Sequence, residues 1–208
     1  MLFVNNVSIR YYLLMPEASK TVHDIIERLG NLVRADVRAA CHAQGVRPVQ
    51  FEALNYLSQC NRYSDTPQAV AEYLGLTKGT VSQTLKLLEE KGLLLKRDDK
   101  HDKRVVHLKP TARGRRLVAQ SVPAESVATG IGSLPVSEQR EMVDALQQLL
   151  RSIQQANGLK TFAPCHTCRF NQQHEGGYFC ELTQEPLADD DVSLLCREHQ
   201  YPATGTVG

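Results

Sequence analysis

Four of the six cysteines of this 208-residue chain lie near its C-terminus. They are Cys165, Cys168, Cys180 and Cys196, with the spacing C-x2-C-x11-C-x15-C. Cys165-x-x-Cys168 can chelate one ion because its two sulfurs reach the same side of a tight turn. The surrounding segment has too few apolar residues for a core, and segments this short usually need a metal or disulfides. The pattern therefore predicts a metal site.

The thiolates leave the identity of the metal open. Four cysteines suit Zn²⁺ in tetrahedral geometry, and zinc is the favoured cofactor. A zinc ribbon normally has two close cysteine pairs, so the wide third interval leaves an iron–sulfur cluster as the alternative. A thiol or disulfide switch is the third possibility. Three histidines could replace a cysteine ligand: His166, His174 and His199. The last of them could form a second chelating pair, Cys196-x-x-His199.

The N-terminal residues show no targeting signal. Residues 1–15 are apolar, but they lack a basic start and a cleavage site and are too short to span a bilayer. They are either an ordinary arm or an artefact preceding a true start at Met15. We expect a cytoplasmic protein without a membrane partner, where clustered cysteines serve metal or redox chemistry. Cys41 and Cys60 are expected to be buried small hydrophobes rather than redox-sensing thiols.

The net charge of +1 conceals two oppositely charged regions. Residues 77–116 hold twelve Lys and Arg against five Asp and Glu, a net charge of +7. Residues 161–208 hold two basic and seven acidic residues, a net charge of −5. The basic block is where a polyanion would bind, and the tail would be repelled by one.

The elements that carry the basic block are mostly helical. Apolar steps of three and four predict a helix over 19–43, and a shorter one follows over 49–60. Thr66-Pro67 starts a third helix that stops at Gly75. Thr77 caps a fourth helix that runs to about residue 91, and the last two form a helix-turn-helix.

Two short strands follow, at 93–95 and 105–108, joined by the polar run KRDDKHDKR. Pro110-Thr111 starts a helix to about residue 129, interrupted near Pro123, and Leu134-Pro135 opens a last long helix that Asn157-Gly158 closes. The fold class is mainly α with a small β-wing. We expect an arm at 1–18, a winged helix-turn-helix domain with flanking dimerisation helices at 19–160, and a cysteine-rich tail at 161–208.

The fourth helix has the composition of a recognition helix, with short polar and basic side chains at its exposed N-terminal end. Gln83 can pair with adenine, and lysine can reach guanine. Gly79 lets the backbone come close to a phosphate. The residues expected to contact DNA from this helix, named here the recognition face, are Thr77, Lys78, Gly79, Thr80, Ser82, Gln83 and Lys86.

The polar run between the strands is typical of a wing that enters the minor groove or contacts phosphates. Asp102 is expected to hold the Arg104 guanidinium through a bidentate pair. Taken singly, a lysine-rich helix face is more often just solvated, and a charged loop is often only a hairpin. The order and spacing of the helices and strands, together with the basic charge of residues 77–116, favour DNA binding. The wing cations are Arg97, Lys100, Lys103 and Arg104.

Residues 19–157 resemble the MarR family of bacterial transcriptional regulators. The resemblance rests on the helix order and on the run VAEYLGLTKGTVSQTLKLLEEKGLLLKRDDKHDKRVVHLKPTARG, in which Asp102-Lys103-Arg104 and Thr111-Ala112-Arg113-Gly114 are similar to the family's wing signature. Pro110 departs from the family's usual apolar residue. The resemblance implies a homodimer, joined by the first and last two helices, with each winged domain on half of a pseudo-palindromic operator in double-stranded DNA. It also implies a possible small-molecule effector, which nothing in the sequence identifies.

The apolar stripes at 22–40 and 142–153 agree with dimerisation, since symmetric dimers match two half-sites. The stripes could instead pack on the chain's own winged domain. The leading function is a transcriptional regulator, a repressor in particular, modulated by the cysteine site. One alternative is a metal- or iron–sulfur-dependent redox enzyme or electron carrier that uses the tail, but no catalytic constellation supports it. Another is a nonspecific architectural DNA binder.

Overall fold

The computed structural model describes residues 17–100, 102–174 and 176–202. The expectations about the first fifteen residues and a start at Met15 lie outside these ranges. Within them, no helix has both the length and the apolar character needed to cross a membrane.

Seven helices and one hairpin precede the tail in the described part of the chain. The first four helices, in chain order, are α1 (Glu17–Gln44), α2 (Pro48–Leu57), α3 (Pro67–Leu74) and α4 (Lys78–Glu90). The next elements are β1 (Leu94–Asp98), β2 (Val106–Pro110), α5 (Ala112–Ala119), α6 (Glu125–Gly132) and α7 (Val136–Ala156). The predicted helix order is confirmed, and the predicted helix interrupted near residue 123 is two separate helices.

Local capping chemistry defines the two helices of the helix-turn-helix. The Thr66 side chain accepts a hydrogen bond from Ala69 N at 3.3 Å, with Pro67 in the first turn. Gly75 ends α3 with φ of 64°, a left-handed conformation that glycine adopts at little cost. Thr77 then caps α4 by accepting from Thr80 N at 3.2 Å. The helices begin and end at the predicted residues, so the turn between them is determined by residues close to it in sequence.

The wing is an antiparallel hairpin whose strands are each longer than predicted. β1 pairs with β2 from Leu94 opposite Pro110 to Asp98 opposite Val106. The first strand therefore extends into the polar run, because backbone pairing continues where the side chains are exposed. Pro110 ends β2 rather than starting the next helix, and Thr111 is the N-cap of α5.

The core of the winged domain is aliphatic and lies between α2, α3, α4, α5 and the hairpin. Its central residues are almost fully buried, as with Leu54, Leu88 and Leu108. Gly114 in α5 lies against the backbone just before β1, and a Cβ built there would be 2.3 Å from Leu93 O. Glycine is therefore required at this helix-to-strand contact.

The two longest helices take almost no part in this core. α1 has a single buried residue, Cys41, and α7 has none. Each instead presents large apolar side chains to the surface of the single chain. They are Val22, Ile25, Ile26, Leu29 and Leu32 on α1, and Val136, Met142, Val143, Leu146, Leu150 and Ile153 on α7.

The cysteine-rich tail forms small sheets that pack onto the winged domain. Its elements are β3 (Ala163–Pro164), a 3₁₀ turn (Cys165–Thr167), β4 (Asn171–His174), β5 (Gly177–Cys180), β6 (Glu185–Leu187), α8 (Asp189–Val192) and β7 (Leu195–Cys196). Phe162 is part of the main core and meets Tyr56 edge to face, with ring centroids 5.8 Å apart. Leu195 forms a bridge to Cys60. The domain boundary placed after residue 160 stays a prediction.

Candidate nucleic-acid interface

The recognition face lies on the solvent side of α4. All seven of its residues are exposed, whereas Val81, Thr84, Leu85 and Leu88 face the core. The Thr77 and Thr80 hydroxyls lie 2.9 Å apart, at the helix N-terminus, where unpaired N–H groups attract phosphate. α4 therefore offers a continuous polar and cationic surface backed by a packed apolar face.

The wing cations are also exposed. Two lysines of the basic surface, one on the recognition face and one in β1, have acidic partners. Lys86 Nζ lies 3.9 Å from Glu90, and Lys96 Nζ lies 2.8 Å from Glu89. Exposed ion pairs of this kind contribute little to stability, so each lysine can give up its carboxylate partner for a phosphate at little cost. The basic surface thus remains available to a polyanion.

Asp102 holds Arg104 as the sequence predicted. Arg104 Nε lies 2.9 Å from Asp102 Oδ1, and its terminal nitrogen donates to Oδ2 at 2.8 Å. The Arg104 guanidinium holds the pKa of the Asp102 carboxyl below its usual range. The Arg104 side chain is 90% exposed, so this pair orients a cation that is otherwise free in solvent. Such an oriented guanidinium can enter a groove at little entropic cost.

A histidine at the base of the wing links it to the turn before α3. His107 Nδ1 lies 2.6 Å from Asp65 Oδ1, and Nε2 lies 3.2 Å from Asp99 Oδ2. Leu108 N also donates to Asp65 O at 2.7 Å. The Asp65 carboxylate, followed by Asp99, raises the pKa of His107. The sequence reasoning missed this network, because Asp65 and His107 are 42 positions apart and share no motif.

All four tail cysteines line one small cavity of about 20 Å³. This cavity is named here the four-cysteine pocket. Within the described residues, no three Cys, His, Asp or Glu side chains are already arranged to hold a metal ion. Burial raises the pKa of the Cys165 thiol to about 11. Cys41 and Cys60 lie outside the pocket and are buried, as the sequence indicated.

The three candidate histidines are placed away from the pocket lining. Both ring nitrogens of His199 face hydroxyls, Thr161 Oγ1 at 2.7 Å and Thr167 Oγ1 at 2.9 Å. Burial lowers the pKa of His199, which favours the neutral form of the ring. His166 Nδ1 lies 3.0 Å from a backbone carbonyl, and His174 is exposed on β4.

A second feature missed by the sequence reasoning joins the tail to the helix-turn-helix. Arg197 forms a bidentate pair with Glu72 on α3, with both N–O distances at 2.7 Å. The Arg197 backbone N–H also donates to Ser64 Oγ at 2.8 Å. Arg197 lowers the pKa of Glu72 to about 2. The residue next to Cys196 is therefore fixed to the first helix of the helix-turn-helix.

Comparison with known proteins connects this geometry to regulators. Residues 44–105 match the sequence profile of the MarR family. A comparison with curated proteins finds no match. The profile covers α2 to the wing, the part of the chain that carries the recognition face and the wing cations.

Solved structures share the fold over about two thirds of the chain. CouR from Rhodococcus jostii RHA1, bound to p-coumaroyl-CoA, is 25% identical with a TM-score of 0.52, covering 65% of this chain and 95% of its own. A MarR transcriptional regulator from Methanosarcina mazei Go1 is 18% identical with a TM-score of 0.57, covering 66% and 99%. The MepR–DNA complex of S. aureus is 24% identical with a TM-score of 0.52, covering 62% and 96%. The winged helix-turn-helix fold is therefore confirmed.

Proposed function

We propose that this protein is a transcriptional repressor of the MarR type that binds a pseudo-palindromic operator as a homodimer. One observation carries the proposal: the recognition face of α4 is fully exposed beside a wing whose Arg104 is held by Asp102. A packed helix with a polar outer face suits the major groove, and an oriented arginine suits the adjacent minor groove. The profile match over the same segment supports this assignment.

The exposed stripes on α1 and α7 support the homodimer. Their side chains are between 40% and 61% exposed in the single chain, too much apolar surface for helices that remain in water. Burying such a side chain completely from full exposure contributes about 1.5–3 kcal/mol, so burying the exposed half of each would contribute about half of that. A second copy is the fitting occupant, because a two-fold dimer presents two recognition faces to two half-sites.

A cleft between the end of α1 and α5 offers a place for an effector. It has a volume of about 400 Å³ and is lined by three cations, Lys91, Arg113 and Arg116. A small anion is the chemistry that such a lining would take. The ligand of CouR belongs to that protein, and the effector of this chain remains part of the proposal.

The test compares DNA binding of wild type with Arg104→Ala by fluorescence anisotropy. The probes are fragments from upstream of the protein's own gene and scrambled fragments of equal length. The variant loses one groove contact of about 1–3 kcal/mol on each wing, and because the dimer carries two wings, operator binding should weaken by about 2–6 kcal/mol, or roughly 30-fold or more. Lys160→Ala is the matched control, since it removes one positive charge from an exposed position outside both the DNA surface and the dimer helices and should leave affinity unchanged.

A salt titration separates a specific regulator from an architectural binder. A regulator keeps a specificity ratio of about 10³ or more between operator and scrambled DNA at physiological salt. Equal affinity for both probes, or unchanged affinity in the Arg104 variant, would contradict the proposal.

A further inference from the structure

The four-cysteine pocket is assembled from segments that are distant in sequence. Cys165 and Cys168 flank the 3₁₀ turn, Cys180 ends β5, and Cys196 ends β7. Asn61 of the loop between α2 and α3 completes the lining on the winged-domain side. All four cysteines line one cavity that has room for about one atom-sized occupant. Packing alone gives no reason for such convergence in a segment with so small a core.

Hydrogen-bond donors approach the sulfurs. Gln200 N lies 3.4 Å from Cys168 Sγ, and Asn171 Nδ2 lies 3.6 Å from Cys165 Sγ. N–H groups aimed at sulfur favour the thiolate over the thiol. Donors of this kind form the outer shell that orients ligands around a metal and tunes their charge.

Asn61 supplies an independent observation that points to a negatively charged acceptor in the pocket lining. It is 1% exposed, and its Nδ2 is a buried donor without an acceptor among the described residues. Its Oδ1 accepts from Ser64 Oγ at 2.8 Å and from Tyr63 N at 3.2 Å, which fixes the orientation of the amide. Cys196 lines the same pocket as this amide, but no hydrogen bond of normal geometry joins the two in the described structure. A buried donor without an acceptor is destabilising, and a metal-bound thiolate would accept a hydrogen bond from it.

We propose that the four-cysteine pocket binds one Zn²⁺ ion through all four thiolates, and that this ion joins the tail to the loop before α3. Each thiol releases its proton to solvent as its sulfur bonds the metal. The cysteine side chains turn between staggered rotamers to reach a common centre. The small cavity favours a single ion over an iron–sulfur cluster, and the hydrogen bonds of His199 leave the cysteines as ligands.

The first experiment measures metal on the full chain, purified under anaerobic, reducing conditions. Elemental analysis should give one zinc per chain. After chelator treatment, Co²⁺ should bind with one-to-one stoichiometry and give the charge-transfer absorption of tetrahedral cobalt thiolate. A chain without zinc that also gives no cobalt spectrum overturns the proposal. So does a purified protein with bound iron and the visible absorption of an iron–sulfur cluster.

Variants then assign the ligands. Cys180→Ser should lose the stoichiometric zinc, while Cys41→Ser is the matched control and should retain it, because Cys41 is buried in α1. His174→Ala should also retain zinc. If Cys180→Ser does not fold, Asn61→Ala decides, because it keeps every thiol. This variant should bind zinc about 10- to 100-fold more weakly in competition with a chelator.

Unchanged zinc affinity in Asn61→Ala, or retained stoichiometric zinc in a folded Cys180→Ser, would refute the assignment. None of these measurements involves DNA. A chain that binds zinc as expected but ignores every promoter fragment would refute the proposed function alone. A chain that binds its operator but takes up neither zinc nor cobalt would refute this site alone.

Discussion

The ion pair between Glu72 and Arg197 gives the most direct test of how the tail is held on the winged domain. Both bonds of the pair measure 2.7 Å, and the two side chains are 30% and 22% exposed. Hydrogen bonds to charged groups contribute about 1.5–3 kcal/mol, and exposed pairs about 0–1 kcal/mol. Because both side chains are only partly exposed, we expect a coupling energy between these two ranges, about 1–2 kcal/mol. Arg197 also pairs with Glu198, so removing Glu72 does not leave the guanidinium without a partner.

The assay is a double-mutant cycle of Glu72→Gln and Arg197→Ala, measured by urea denaturation at pH 7. The matched control is Glu90→Gln, which removes an exposed pair with Lys86 at 3.9 Å and should cost less than about 0.5 kcal/mol. Hydrogen exchange at 195–197 provides a second readout, and protection there should fall in Glu72→Gln. A coupling energy within error of zero would refute the reasoning that this pair fixes the tail.

The same pair predicts a pH dependence. Arg197 lowers the pKa of Glu72 to about 2 in the folded chain, from an ordinary value of 4.5. The stabilisation by the carboxylate is therefore fully present above pH 4.5 and is lost as the pH falls toward 2. The stability difference between wild type and Glu72→Gln should shrink over this interval. A difference that stays constant from pH 6 to pH 2.5 would contradict the assignment of the pKa to this pair.

Three further substitutions test the packing, the DNA surface and the dimer. Gly114→Ala should lose about 1–3 kcal/mol in urea denaturation because the new Cβ would meet Leu93 O at 2.3 Å, whereas Gly130→Ala has open space and should not destabilise. Gly79→Ala has no neighbour closer than 4.0 Å, so the fold should persist while operator affinity falls, and unchanged affinity would exclude a close backbone approach to phosphate. Leu146→Glu should yield monomers in sedimentation experiments, because Leu146 is 50% exposed on the proposed dimer face; an intact dimer would place the interface elsewhere.

The parts of the molecule predicted from sequence are those set by neighbouring residues. Thr66, Gly75 and Thr77 define helix ends through hydrogen bonds and backbone conformations within one turn of chain. Asp102 and Arg104 are two positions apart on a tight turn, so their pairing could be inferred from charge and spacing alone. Such features depend little on how distant segments pack.

The parts that were missed depend on contacts between distant segments. Glu72 and Arg197 are 125 positions apart, and each has the exposed, charged character of an ordinary surface residue in sequence. Asn61 is similarly inconspicuous, since a polar residue in a loop is normally solvated. It is buried where β7 packs beside the residues that follow α2, with Asn61 N donating to Leu195 O at 2.9 Å. No periodicity or motif encodes such a contact.

The charge of the tail has a different meaning once its contacts are known. Its net charge of −5 suggests repulsion from DNA, yet three of its seven acids form ion pairs with basic residues outside the tail. Glu185 and Asp191 lie 3.6 and 3.7 Å from Arg62, and Glu198 lies 2.7 Å from Lys160. Paired charges produce a weaker field at a distance than isolated ones, and salt screens what remains. Arg197 attaches the tail to Glu72 on α3, so the tail can influence DNA binding through the position of that helix as well as through its remaining charge.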